Sequence, residues 1–193
     1  MPGLGLPIAF VPRAAHGLPG RLGFAPAPGR WPRQADPGGD AVQEDLRRLS
    51  LACGEVVLVT LLEEGEMERL GLSDLLDRAS RSGFECLWFP IPDGTAPANL
   101  EETALLVARM LERLAAGRTV IVHCLGGVGR SGTIAACALV GAGRDPRGAL
   151  ELVRAGRAAA ATAPGQEAFV YEFARACTRG TDTPPPDAPR GGR

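Results

Sequence analysis

The stretch Val122–Thr133 reads V-H-C-L-G-G-V-G-R-S-G-T. Within one short turn it places a thiol, a guanidinium and a hydroxyl. A cysteine attacks only as its thiolate, so its surroundings must favour negative charge. Gly126, Gly127 and Gly129 remove side chains and permit unusual backbone angles, so that successive backbone N–H groups can converge on one anion; Leu125 and Val128 complete the turn. A helix that begins directly afterwards aims its positive dipole end at the same point. Arg130 can close the cradle with a two-pronged grip on two phosphate oxygens. Ser131 can donate a hydrogen bond to the sulfur and so help the thiolate leave. The chemistry implied is phosphoryl transfer onto Cys124, with residues 124–130 holding the phosphate.

Such a reaction needs a proton for the leaving oxygen, and the motif contains no acid. Asp93 lies in F-P-I-P-D-G-T-A-P, shortly after a run ending at Phe89. If that run and the strand before Cys124 are parallel neighbours, both deliver their carboxyl ends to one sheet edge, and Asp93 stands beside the cradle. Pro90 and Pro92 stiffen the loop, and Gly94 supplies a hinge. Pro-Asp-Gly is also a common turn signature, so this assignment leans on the cysteine motif. Asp93 would protonate the leaving group first and then take a proton from the attacking water.

The remaining candidates are structural or supporting. His123 is read as fixing the cradle by hydrogen bonds or as a satisfied buried histidine. Cys53 and Cys86 read as core residues rather than as disulfide partners of Cys124. Phe169, Tyr171 and Phe173 read as core, and Glu63, Glu64, Glu66 and Glu68 as a solvated loop or helix start, not a metal site.

The elements that must position these groups follow from periodicity. Glu55–Leu62, Glu85–Phe89 and Thr119–His123 are continuous apolar runs, the pattern of strands buried on both faces of a parallel sheet. Pro7–Val11 and Leu22–Ala25 read as short edge strands. Helices are expected over 40–49, 73–80, 99–115, 131–140, from Asp145-Pro146 onward, and over 166–177. In the helix from Asn99, a capping box with Glu102 is expected, and Ala104, Ala108, Leu111 and Ala115 trace one face. Val170 faces the core with Phe169 and Phe173. Alternating strands and helices imply an α/β fold with a central, mainly parallel sheet flanked by helices. One domain over residues 1–178 is expected, its first 40 residues irregular, followed by a disordered tail over 179–193.

A chain of 193 residues, 45% hydrophobic, can bury one full core. Its net charge of −1 gives no electrostatic case for nucleic-acid binding. Every basic residue is arginine, which reflects composition rather than 21 functional sites. No apolar run reaches the ~20 residues of a membrane span. The N-terminus lacks the charged start of a cleaved signal. Five scattered cysteines without a C-x-x-C pair, and two histidines, suit a reduced, cytoplasmic chain without metal or cofactor. Nothing signals an oligomer, so a monomer is expected.

The string H-C-L-G-G-V-G-R-S-G-T resembles the signature of the protein tyrosine and dual-specificity phosphatases, H-C-x-x-G-x-x-R-S/T. More narrowly, the Gly-Gly pair after the cysteine and the P-I-P-D-G of Pro90–Gly94 resemble the cyclin-dependent-kinase-associated branch. Gly126 stands where many dual-specificity members have alanine. The likeness runs from about Leu6 to Cys177 and takes in L-G-x-x-x-x-P-G at Leu22–Gly29. The resemblance implies a dual-specificity phosphatase-like fold and metal-independent removal of phosphate from phosphoproteins. It implies Cys124, Arg130, Asp93 and Ser131 as catalytic residues. Gln166, in P-G-Q-E-A-F, is similar to the glutamine that positions water in tyrosine phosphatases, or is an ordinary first-turn helix residue. Phosphotyrosine is the expected substrate, with phosphoserine, phosphothreonine, small phosphate esters and lipid phosphates as alternatives. A loop interior of Leu, Gly, Gly, Val and Gly, without lysine, argues for a singly phosphorylated substrate. A pseudophosphatase that binds phosphoproteins is the alternative outside catalysis. His123, Ser131 and the acid loop speak against rhodanese-type sulfurtransfer.

Overall fold

The computed structural model describes residues 6–30 and 40–181, with side chains to residue 178. Strands β1 (Ala9–Phe10), β2 (Arg21–Ala25), β3 (Val56–Thr60), β4 (Glu85–Trp88) and β5 (Thr119–His123) form one sheet in the order β1-β2-β5-β3-β4. β1 is antiparallel to β2, and the other pairings are parallel. Among the described residues the helices are α1 (Ala41–Cys53), α2 (Glu64–Leu70), α3 (Leu75–Arg81), α4 (Leu100–Ala115), α5 (Gly129–Gly141), α6 (Pro146–Gly156) and α7 (Gln166–Thr181), with one 3-10 turn at Arg13–Ala15. This is the expected α/β architecture with a mainly parallel central sheet.

Strand alternation decides what lies on each face. Val120 and Val122 of β5, with Val57 and Val59 of β3, join the core formed with α4–α7. Ile121, Val56 and Leu58 point the other way, toward Leu46 and Leu49 of α1. Each such side chain contributes roughly 1.5–3 kcal/mol through burial. The helix ends follow their caps: Asp40 accepts from the Gln43 N–H, Asn99 from those of Glu101 and Glu102, and Asp145 from that of Gly148.

Three expectations need correction. β2 is an interior strand between β1 and β5, because two-residue β1 covers its outer side. β4 is an edge strand rather than one buried on both faces: Glu85 and Cys86 are half-buried, and Trp88 is 47% exposed. The buried face of α4 is Thr103, Leu106, Val107, Met110 and Leu114, while Ala104, Ala108 and Ala115 are exposed. Both stripes have helical spacing, and the one carrying the larger apolar side chains goes inward.

α5 is the central helix, buried from Arg130 to Val140. It starts two residues earlier than expected, at Gly129, and α7 runs past Cys177 to Thr181. Small residues let other segments close on α5: a methyl group at Gly132 would lie 2.8 Å from Ala160 Cβ, and one at Gly141 2.6 Å from Val107 Cγ1. The N-terminal segment is tied to the second half of the chain, with Arg157 Nη2 donating to the Pro7 carbonyl and Arg144 to those of Ala14 and Ala15. Residues 182–193, most of the expected tail, and 31–39 within the N-terminal stretch lie outside the described residues. Among the described residues no helix is long and apolar enough to cross a membrane.

Candidate active site

The pairing register puts Ala25, His123, Thr60 and Trp88 level with one another at the ends of their strands. The segments leaving β2, β5, β3 and β4 therefore share the carboxyl edge of the sheet, where open α/β folds hold ligands.

Cys124 follows β5 directly and is 3% exposed. Its Sγ lies 3.5 Å from the Ser131 hydroxyl, within reach of a sulfur hydrogen bond. The seven-residue turn folds back onto the segment after β2, where the Ala27 N–H donates to the Leu125 carbonyl. Of the three glycines, only Gly127 uses a left-handed angle, at φ +67°; a Cβ there would stand 2.2 Å from backbone atoms of Ala25 and Pro26. Gly126 has open space around it, and Gly129 is crowded by the Gln166 carboxamide. The unusual angle expected of all three thus belongs to one, for a reason of packing.

His123 is buried between strands, with Nε2 2.8 Å from Thr60 Oγ1 and Nδ1 3.4 Å from the Cys124 carbonyl. A neutral ring satisfies both by donating from Nδ1 and accepting at Nε2. Burial, with a smaller push from the Arg130 charge, holds the ring down at about 4, against the opposing carbonyl bond.

Arg130 reaches under the turn from the first turn of α5, with its side chain 1% exposed. Nη1 donates to Glu66 Oε2 at 2.6 Å and to the Ile91 carbonyl at 2.9 Å; Nη2 donates to Glu66 Oε1 at 2.9 Å. Nη2 also lies 2.9 Å from Asp93 Oδ1. Nε is buried without a partner. A donor in that state is costly unless something fills the place in front of it.

Glu66 is the residue that sequence reasoning missed. Far from being solvated, its side chain is 7% exposed, and it also caps its own helix by accepting from the Glu63 N–H at 3.1 Å. Burial raises its proton affinity, but the bonds from Arg130 and Glu63 outweigh this and keep the carboxyl below its usual range. The available signal was a carboxylate just past the carboxyl end of a buried strand. The neighbouring glutamates mask it, since only packing shows which one turns inward.

Asp93 does not arrive as expected. β4 neighbours β3, with β3 between it and β5. The loop bridges that extra strand: the Phe89 N–H donates to Thr60, the Ile91 N–H to Leu61, and Trp88 Nε1 to the Leu62 carbonyl. Asp93 then faces Arg130, its side chain still 68% exposed.

Gln166, the first residue of α7, is fully buried. Its Nε2 donates to the Thr95 carbonyl at 2.9 Å and its Oε1 accepts from the Ala163 N–H at 3.1 Å. One pocket of about 430 Å³ gathers the set. Its lining comes from the loop after β4 (Asp93, Gly94), the turn after β5 and the start of α5 (Cys124, Leu125, Gly126, Val128, Gly129, Arg130), and the segment leading into α7 (Ala159, Thr162, Ala163, Gln166). Among the described residues Arg130 is the sole cationic side chain in that lining. The five cysteines are all free, Cys53 and Cys86 included.

The profile of the family described as "Polymorphic toxin system, DSP-PTPase phosphatase" matches residues 34–144, more than half of the chain. The chain belongs to that family. It is 31% identical over 99 residues to cyclin-dependent kinase inhibitor 3 of Sus scrofa and 30% identical to that of Homo sapiens, which covers 51% of this chain and 46% of each relative. It thus spans about half the length of these curated relatives. The fold is similar to a kinase associated phosphatase (KAP) solved with its catalytic site cysteine replaced by serine: TM-score 0.78, 23% identity, covering 90% of this chain and 96% of that one. Tk-PTP in its active form matches at 30% identity and TM-score 0.66, over 81% of this chain and 92% of its own. The family resemblance read from H-C-L-G-G-V-G-R-S and P-I-P-D-G is therefore correct.

Proposed function

We propose that the chain is a metal-independent phosphatase that hydrolyses phosphate monoesters through a phosphocysteine on Cys124. One observation carries the reading. Arg130 stands beside Cys124 with its two terminal nitrogens held by Glu66, Ile91 and Asp93, and its buried Nε left for an anion. A phosphate in the turn would engage that Nε and the backbone N–H groups, with phosphorus above the sulfur.

In the first step, the Cys124 thiolate attacks phosphorus and the bond to the leaving oxygen breaks, with Asp93 supplying that oxygen's proton. In the second, water attacks phosphorus, Asp93 accepts a proton from it, the S–P bond breaks, and inorganic phosphate leaves. The Ser131 hydroxyl, 3.5 Å from the sulfur, stabilises the thiolate as it departs. His123 and Thr60 hold the start of the turn. Phosphate binding also gives Asp93 its freedom, because a bound dianion competes for the guanidinium that holds the carboxylate.

The walls favour phosphotyrosine, with phosphoserine and phosphothreonine as further substrates. Leu125, Val128, Ala159 and Ala163 offer apolar sides to the carbon part of the substrate, and one cationic side chain suits one phosphate. PTPMT1, a similar fold at 23% identity, has been solved with PI(5)P; a lipid phosphate with further charges would find no second cation among the described residues of this pocket. Residues 1–178 form the proposed catalytic domain, acting as a monomer on a phosphoprotein or phosphate ester.

The test is hydrolysis of para-nitrophenyl phosphate with EDTA and a reductant present. Turnover by wild type and its loss in Cys124→Ser and Arg130→Ala is expected. A reduced wild type that binds vanadate or a phosphopeptide tightly without turning over either ester would replace catalysis with phosphoprotein binding.

A further inference from the structure

The loop that carries Asp93 has few attachments of its own. Thr95 bonds back to Pro92 through its N–H and its hydroxyl. The loop is anchored to β3 at Ile91 and to α4 at the Asn99 cap. Between those points two bonds reach across the pocket, Asp93 to Arg130 and Thr95 to Gln166. The first is the one that a phosphate contests.

Gln166 is built to hold the second. Its carboxamide is oriented by Ala163 at one end and by Thr95 at the other, and it lies against Gly129, where a methyl group would sit 3.0 Å from Nε2. One side chain thus touches the acid loop, the segment before α7 and the first turn of α5. Its burial leaves it no alternative partner in solvent.

We infer that Gln166 is a positioning residue that latches the Asp93 loop over the turn once phosphate has taken Arg130, rather than a residue whose task is to orient water. The inference rests on Asp93 being the general acid. It predicts that losing the latch resembles losing part of the acid. Esters with poor leaving groups suffer, because they need the proton; activated esters hardly do.

The experiment compares wild type, Gln166→Ala, Gln166→Glu, Asp93→Asn and the Gln166→Ala/Asp93→Asn double variant. Gln166→Glu keeps an acceptor for Ala163 and removes the donor to Thr95. Amide hydrogen exchange is followed over residues 91–98 and over α5. In both Gln166 variants the loop should exchange about tenfold faster while α5 is unchanged. With phenyl phosphate kcat should fall by about tenfold or more, with 4-nitrophenyl phosphate by about twofold, with KM for each within about twofold. The double variant should be no slower than Asp93→Asn alone.

Unchanged exchange over 91–98 would overturn the latch. So would a double variant clearly slower than Asp93→Asn alone, since Gln166 would then act on something other than the acid loop, the attacking water included. If the wild type turns over neither ester, the acid assignment to Asp93 fails, and the exchange data alone decide whether Gln166 holds the loop.

Discussion

The turn after β5 and the loop after β4 meet at the same pocket, yet they are built on different principles. The turn is locked from beneath: Gly127 is pressed on Ala25 and Pro26, His123 on Thr60, and Arg130 on Glu66. Its chemistry comes from backbone and from residues adjacent in sequence. The loop after β4 is an exposed strap that crosses an extra strand, and it reaches the pocket through Asp93 and Thr95. An anion site with a nucleophile demands fixed geometry, whereas an acid that must take and release a proton beside water tolerates exposure. The contrast teaches that the rigid half of this site takes its reacting groups from contiguous residues and its bracing from distant ones, whereas the movable half is a distant segment brought in whole.

The sharpest way to break the comparison is to remove the chemistry of each half while leaving its frame. Cys124→Ser should abolish turnover with the melting temperature nearly unchanged; residual activity measured after alkylating free thiols would contradict the role of the sulfur. Asp93→Asn should lower kcat on phenyl phosphate by about 10²–10⁴-fold, the usual scale for an acid–base group. Its effect on stability should stay below about 1 kcal/mol, since its ion pair is largely solvent-exposed.

The frame can be attacked next. Glu66→Ala leaves the Arg130 charge buried without its bidentate partner, and breaking such a pair costs about 3–5 kcal/mol. Urea unfolding should show that loss together with a collapse of activity; a stable, active variant would mean that the pair is incidental. Glycines sharpen the contrast further. Gly127 and Gly94 both have left-handed backbones, at φ +67° and +73°, but only Gly127 faces backbone at 2.2 Å. Gly127→Ala should lose on the order of 3 kcal/mol or more, from the left-handed angle plus overpacking. Gly94→Ala should lose about 1 kcal/mol, and equal denaturation midpoints for the two would remove the distinction.

The buried histidine of the rigid half adds a pH dependence. His123 is held down to about 4 in the folded chain against 6.5 when unfolded. A depressed folded value means that stability is fully present above pH 6.5 and is lost as pH falls toward 4. The loss should reach roughly 2 kcal/mol by pH 5. His16 is also pushed down, by burial and then by Arg13, and acts with the same sign. Below pH 4.5 Glu66 adds a further loss as it protonates away from Arg130. A His123→Gln variant should therefore show a shallower decline between pH 6.5 and 5 than wild type; parallel curves would clear His123.

The sequence by itself determined the buried strand β5, the turn from Cys124 to Arg130 and the helix after it, because each is written in contiguous residues whose burial and backbone angles leave few alternatives. It also marked Asp93, through a loop whose residues match an acid-bearing pattern. Tertiary structure alone decided that β2 is interior and β4 an edge, because two residues at Ala9–Phe10 cover one side and nothing among the described residues pairs with the other. It alone selected Glu66 from a run of glutamates, since α2 turns that one carboxylate inward onto a guanidinium far along the chain. It alone joined Gln166 to Thr95, a bond between residues 71 positions apart. Local sequence sets which groups a segment can offer; which of them meet depends on how the sheet order and helix faces bring distant segments to one edge.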